Sequence, residues 1–190
     1  MEGVWSMREY LLLLPIIFIF HDMEEIVGIE WFYSNNAWLF ERYPKILKTY
    51  KGMTHMGFSA AVYEEFIPFF GVSLFAYYFP GQVVFALWYG IFLALAGHFL
   101  IHIGQALAIR KYIPCVITSI ICLPVSIVIL VKSAPFIEWN TLAFALVIIG
   151  ILLMLANFKA AHAVMHYVNK RMVGVAEQDP SEANNTEYLL

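Results

Sequence analysis

Five long apolar stretches constrain this chain more than any other feature of its sequence. Each approaches or exceeds the roughly 20 residues that a helix needs to cross the hydrocarbon core of a bilayer. They account for a composition that is 62% hydrophobic and only 13% charged, which is far more apolar than that of a soluble domain. We therefore predict an all-α, polytopic membrane helix bundle of about five transmembrane helices, which cover residues 10–29, 55–79, 82–109, 113–131 and 139–159.

The Lys and Arg residues predict the orientation of this bundle. If the N-terminus lies outside, only Arg8 and Lys132 of the 11 basic residues fall in outer segments. Because cytoplasmic loops carry an excess of Lys and Arg, we expect an N-outside, C-inside protein of the plasma or inner membrane. We expect residues 1–171 to form a single transmembrane domain, with the aromatic and basic segment 34–51 at the interface. The acidic residues 172–190 are expected to form a disordered cytoplasmic tail.

Acidic side chains lie inside the predicted helices without basic neighbours. Apart from Lys159 at the end of the last stretch, the five stretches contain no Lys or Arg. A charged group at the centre of a bilayer costs about 2.5–3.5 kcal/mol. These acids must therefore be protonated, paired with histidine, exposed to a water-filled cavity or bound to a cation. Basic residues do not form the clustered, exposed patch that nucleic-acid binding requires, and the lipid bilayer is the expected partner.

Helical spacing predicts which of these side chains share a face. His21 precedes Glu24 by three residues and Glu25 by four, and each of these pairs lies on one side of a helix. His98 and His102 are likewise four residues apart. Imidazole and carboxylate ligands suit transition metals, and Zn or Fe fits this set best. The predicted metal ligands are His21, Glu24, His98 and His102, the predicted catalytic residues are Glu25 and Glu65, and further candidates are Glu64, His162 and His166.

Neighbouring residues on a helix point about 100° apart, which limits how many acids can face one centre. At most one of Glu64 and Glu65 is therefore expected to face the site. Asp22 has the same offset from His21, and we expect it to face elsewhere.

Two short motifs resemble those of a known family. The run His21-Asp22-Met23-Glu24-Glu25 at the end of the first stretch resembles the motif of the HXXEE family of integral membrane proteins. The run His98-Phe99-Leu100-Ile101-His102 looks like the HXXXH motif of the same family. The resemblance covers about residues 10–160 and implies no established activity. It supports the grouping of the histidines and glutamates within these two motifs.

Three classes of function fit this pattern. The first is a metal-dependent enzyme that acts on a lipid-like substrate, with a spare glutamate as general base. Hydrolysis is preferred to oxygen chemistry, because histidine-rich membrane oxygenases usually carry more than the 6 histidines found here. The second is a metal-free acid/base isomerase for lipid or sterol-type substrates. The third is a small metal-ion or proton transporter or sensor, although the polar groups do not continue to the outer face.

Overall fold

The computed structural model describes residues 6–178, and it describes side chains as far as Arg171. Within this range the chain is entirely helical apart from turns and loops, which confirms the predicted all-α class. The five predicted stretches appear as five long helices. They are α2 (Leu13–Ser34), α5 (His55–Tyr78), α6 (Gln82–Ile109), α7 (Val116–Ser133) and α8 (Thr141–Gln178).

Four of the long helices in the described range, α5 to α8, are long and apolar enough to cross a membrane. Large apolar side chains lie exposed along them, as Ile120, Val128 and Leu152 show. Such a surface is stable against lipid and unfavourable against water. The expected fifth span, α2, is long enough, but it carries four acidic residues and is not among these four helices. Two of these acids, Asp22 and Glu25, are buried inside the bundle.

Short helices fill the segment between α2 and α5, which was predicted to lie at the interface. They are α3 (Trp38–Arg42), α4 (Pro44–Leu47) and a 3-10 turn at Lys48–Tyr50, whereas another short helix, α1 (Arg8–Leu11), precedes α2. A second 3-10 turn, Ala134–Phe136, follows α7. None of the segments between residues 34 and 55 is long enough to span a bilayer, which agrees with an interfacial position.

Helix α8 packs against α5 and α6, and α7 packs against α6, so that α2 is held between α5 and α7. The parallel helices α6 and α8 approach most closely at Gly90 and Gly150. A Cβ atom on Gly90 would collide with the backbone of Val147, and one on Gly150 would collide with the backbone of Leu87. Small residues at such crossings let membrane helices approach closely enough for their backbones to touch.

Hydrogen bonds between helix ends show which ends lie together. Thr54 at the start of α5 donates its hydroxyl to Oδ1 of Asn169 near the end of α8 at 2.7 Å. Lys111, just after α6, donates to Oδ1 of Asn36 after α2 at 2.8 Å. The loops and ends that carry most of the basic residues therefore lie at one end of the bundle, as the predicted orientation requires.

Residues 172–178 of the predicted tail are helical. Helix α8 continues without a break from the last apolar stretch through residue 178. Residues 179–190, the rest of the predicted tail, lie outside the described residues.

Candidate metal centre

Four side chains on α2 and α6 converge inside the bundle. One ligand atom each from His21, Glu25, His98 and His102 can be chosen so that all four lie within 4.8 Å of one another. Nε2 of His102 lies 3.1 Å from Oε1 of Glu25 and 2.7 Å from Nε2 of His98. This spacing follows from the sequence, because residues four apart on a helix present neighbouring side chains. The group is called the His/Glu cluster below.

A hydrogen-bonded chain from α7 fixes the protonation of His21. The hydroxyl of Thr118 lies 2.6 Å from Oε2 of Glu24 and 3.1 Å from Nδ1 of His21. Because a carboxylate only accepts, Thr118 donates its single proton to Glu24, and its oxygen accepts from the Nδ1–H of His21. Nε2 of His21 is then left with a free lone pair. It is buried and has no hydrogen-bond partner among the described residues.

A second hydrogen bond acts on His102 in the same way. Its Nδ1 lies 3.2 Å from Oε1 of Gln105, one turn further along α6. An amide oxygen only accepts, so Nδ1 of His102 carries the proton and Nε2 presents a lone pair to Glu25 and His98. Second partners of this kind orient metal-binding histidines in proteins and fix their tautomers.

Glu24, which was predicted as a metal ligand, is not part of the cluster. Its carboxylate accepts from the backbone N–H of Thr118 at 2.8 Å and from the hydroxyl of Tyr112 at 2.6 Å. It thus binds the N-terminal turn of α7, where the free N–H groups and the helix dipole favour a negative charge. Glu25, predicted as a catalytic base, occupies the place in the cluster that had been assigned to Glu24.

A cavity of about 560 Å³ lies against the cluster. Glu25, His98 and His102 line it, whereas His21 is fully buried behind them. Most of the other lining side chains are apolar, and two of them, Ile101 and Leu155, are more than half exposed on the outer surface of α6 and α8. The cavity therefore combines a polar group of potential ligands with an apolar wall that reaches the lipid-facing side of the bundle.

Two further acids line this cavity. Glu65 lies on its wall and Glu64 does not, so that one of this adjacent pair faces the cavity. Glu64 is partly buried on α5, and its Oε2 has no hydrogen-bond partner in the described part of the chain. Asp22 was expected to face elsewhere. It lines the cavity instead, because its 100° offset from His21 places it on the cavity side of α2.

The two histidines of α8 have different positions. His162 lines the cavity and donates Nδ1–H to the carbonyl of Phe158 at 2.7 Å, and its Nε2 lies 3.3 Å from the hydroxyl of Tyr50. Because Nδ1 of His162 carries the ring proton, Nε2 accepts and the phenol of Tyr50 is the donor of this pair. His166, one turn further on, is exposed and does not line the cavity.

Several side chains around the cluster were missed by sequence reasoning. Thr118 and Gln105 orient the histidines, Tyr50 bonds His162, and the buried thiol of Cys115 lies on the cavity wall near Glu25. Gln105 lies three residues after His102, a spacing that could have indicated it. The others depend on the packing of separate segments and leave no signal in the sequence.

Comparison with curated proteins and with solved structures gives no match. A family model does match, over residues 12–129, and its description is "Protein of unknown function with HXXEE motif". The matched region covers more than half of the chain and contains both motifs and all members of the His/Glu cluster. The protein therefore belongs to the HXXEE family, whose name-giving motif supplies His21 and Glu25 to the cluster and Glu24 to the start of α7.

Proposed function

We propose that this protein is a membrane metalloenzyme in which His21, Glu25, His98 and His102 bind a Zn or Fe ion next to a lipid-like substrate. One observation carries the proposal. His21 and His102 donate from Nδ1 to Thr118 and Gln105, respectively, which leaves a lone pair on each Nε2. Nitrogen lone pairs and a carboxylate within 4.8 Å of one another are the usual ligand set of such ions.

Proton counting within the cluster supports a cation rather than hydrogen bonding alone. Nε2 of His102 presents a lone pair, and an ionised Glu25 presents only acceptors. A proton on His98 can satisfy one of these neighbours, while Nε2 of His21 stays buried without a partner among the described residues. Interhelical hydrogen bonds in membranes average only about 0.6 kcal/mol, which is small against the cost of burying a carboxylate. A divalent cation satisfies all four groups together.

The shape of the surroundings supports an enzyme with a lipid-like substrate. The cavity has an apolar wall that reaches the lipid-facing surface at Ile101 and Leu155. An apolar substrate can enter by that route and present its polar group to the metal, and Glu65 on the cavity wall is placed to act as general base. We propose the same N-outside, C-inside orientation in a plasma or inner membrane as the sequence indicates. The reaction that we favour is metal-assisted hydrolysis.

A metal-free lipid isomerase is the second candidate, and one observation favours it. The carboxyl group of Asp22 is buried on the wall of an apolar cavity, and its Oδ2 has no hydrogen-bond partner within the described residues. A carboxylic acid held in such a place can protonate a double bond of a substrate. In this candidate the histidines would remove the proton.

Elemental analysis of the detergent-purified protein tests the proposal. We expect a stoichiometric amount of Zn or Fe in the unaltered protein and its loss in His98→Ala. The matched control is His166→Ala, which removes an exposed histidine outside the cavity and should leave the metal content unchanged.

Failure to bind Zn or Fe, after the protein has been exposed to either ion, would contradict the proposed function. Equal metal loss in both variants would also count against it, because an exposed histidine would then matter as much as one in the cluster. An infrared band of a protonated carboxyl group that disappears in Asp22→Asn, together with absence of metal, would favour the isomerase.

A further inference from the structure

A second group of acidic side chains lies next to the His/Glu cluster. Asp22 on α2 and Glu65 on α5 line the same cavity as Glu25, and Asp22 interacts electrostatically with both glutamates. Asp22 is only 3% exposed, and its Oδ2 has no hydrogen-bond partner among the described residues. A buried carboxylate without a partner is costly, so that its position on the cavity wall points to a ligand.

The rotation of α2 places Glu25 between the two groups. At about 100° per residue, Glu25 points about 40° from His21 on one side and about 60° from Asp22 on the other. Oε1 of Glu25 already contacts Nε2 of His102 in the cluster. The same carboxylate thus lies between the histidines and the acids, which is the position that a bridging ligand takes in a two-metal centre.

The charges in the cavity also favour a second cation. Asp22, Glu25 and Glu65 can carry three negative charges, and none of the described side chains that line the cavity belongs to Lys or Arg. One divalent ion leaves a net negative charge in an apolar region, where uncompensated charge is expensive. Two divalent ions leave a positive charge that a hydroxide between them would neutralise.

We propose that Asp22 and Glu65 bind a second divalent cation, with Glu25 as the bridge to the ion of the His/Glu cluster. This inference rests on the proposed function and makes Glu65 a ligand of the second ion instead of the general base. Carboxylate oxygens alone suit Mn, Mg and similar hard ions, whereas the histidine-rich position suits Zn or Fe. Two cations that share a carboxylate can hold a hydroxide between them and bind the oxygen atoms of a substrate, so the substrate class is a lipid with a phosphate or carboxylic ester.

Manganese binding to the metal-stripped, full-length protein in detergent tests this inference. We expect two Mn²⁺ per chain and an electron paramagnetic resonance spectrum of two exchange-coupled ions. Asp22→Asn and Glu65→Gln, which lie on different helices, should each halve the bound Mn²⁺ and give the spectrum of an isolated ion. Glu64→Gln is the matched control, since this adjacent acid does not line the cavity.

The outcomes separate the second site from the first. One Mn²⁺ per chain that His98→Ala removes, with no change in Asp22→Asn or Glu65→Gln, would overturn the second site and leave the proposed function standing. Absence of Mn²⁺, Zn²⁺ and Fe²⁺ binding by the unaltered protein would overturn both. Two uncoupled ions that survive both carboxylate variants would place the second ion elsewhere and overturn the bridged site.

Discussion

Helices α6 and α8 meet in two different ways along their length. At Gly90 and Gly150 the two backbones touch, and the contact contains no ionisable group. Two turns further along, at His98 and Phe158, the ring centroids are 6.0 Å apart and the cavity opens beside them. The same pair of parallel helices thus forms a rigid crossing at one level and room for a site at the next. Side-chain size along the contact between α6 and α8 therefore decides where polar groups can lie between the two helices.

Of the two regions, the crossing at Gly90 and Gly150 should tolerate larger side chains less well. A Leu at Gly90 would collide with the backbone of Val147, which cannot move aside without separating the helices. We expect Gly90→Leu to destabilise the fold by about 3 kcal/mol, at the upper end of the usual cost of overpacking. Unfolding in a mild detergent measures this change. Gly71→Leu is the control, because a Cβ at Gly71 meets nothing within 4 Å, and equal destabilisation of both variants would disprove the difference.

Substitutions around the His/Glu cluster should change the affinity for metal rather than the stability of the fold. Thr118→Val removes the hydroxyl that joins Glu24 to Nδ1 of His21 while keeping the shape of the side chain. We expect Zn²⁺ affinity to fall about 10–100-fold, as is typical for loss of a second partner of a metal-binding histidine. Competition with a chelator of known affinity measures it.

The neighbouring hydroxyl provides a matched control for that experiment. Ser119 is fully buried, and its Oγ has no hydrogen-bond partner among the described residues. Ser119→Ala should therefore leave the Zn²⁺ affinity unchanged. If Thr118→Val behaved like Ser119→Ala, the hydrogen-bonded chain to His21 would have no role in metal binding.

The smallest effect is expected at the edge of the cluster region, outside the membrane-spanning helices. Burial and the hydrogen bond to Glu24 raise the pKa of Tyr112 to about 12, from about 10 in an unfolded chain. The stabilising contribution of this phenol is therefore complete below pH 10 or so and is lost as the pH rises through about 12. In ultraviolet titration, Tyr112→Phe should remove a phenolate step near pH 12. Loss of a step near pH 10 would contradict this assignment.

The sequence predicted the helices and the pairs within each helix, because both depend on local spacing. His21 with Glu25 and His98 with His102 share faces for that reason. It did not predict the choice between Glu24 and Glu25. That choice depends on the rotation of α2, which the contact of Glu24 with the start of α7 helps to fix. The spacing of residues along α2 does not show which other helix packs against each of its faces.

The contacts between distant segments were likewise beyond prediction. The sequence offered His162 as a candidate, but it did not show that α8 continues past the last apolar stretch or that Tyr50 reaches His162 from the segment between α2 and α5. Asp22 was expected to face away from the site because one centre was assumed. The cavity instead runs along the side of α2 that carries Asp22 and Glu25, and His21 lies behind it.

X-ray absorption spectroscopy at the edge of the bound metal can show whether the histidines of the His/Glu cluster bind it. With Zn in the His/Glu cluster, we expect scattering from three imidazole rings, with Zn–N distances of about 2.0–2.1 Å. His98→Ala should reduce that imidazole scattering, and His166→Ala should not change it. A spectrum with oxygen ligands alone, or one that is identical in all three proteins, would contradict metal binding by these histidines.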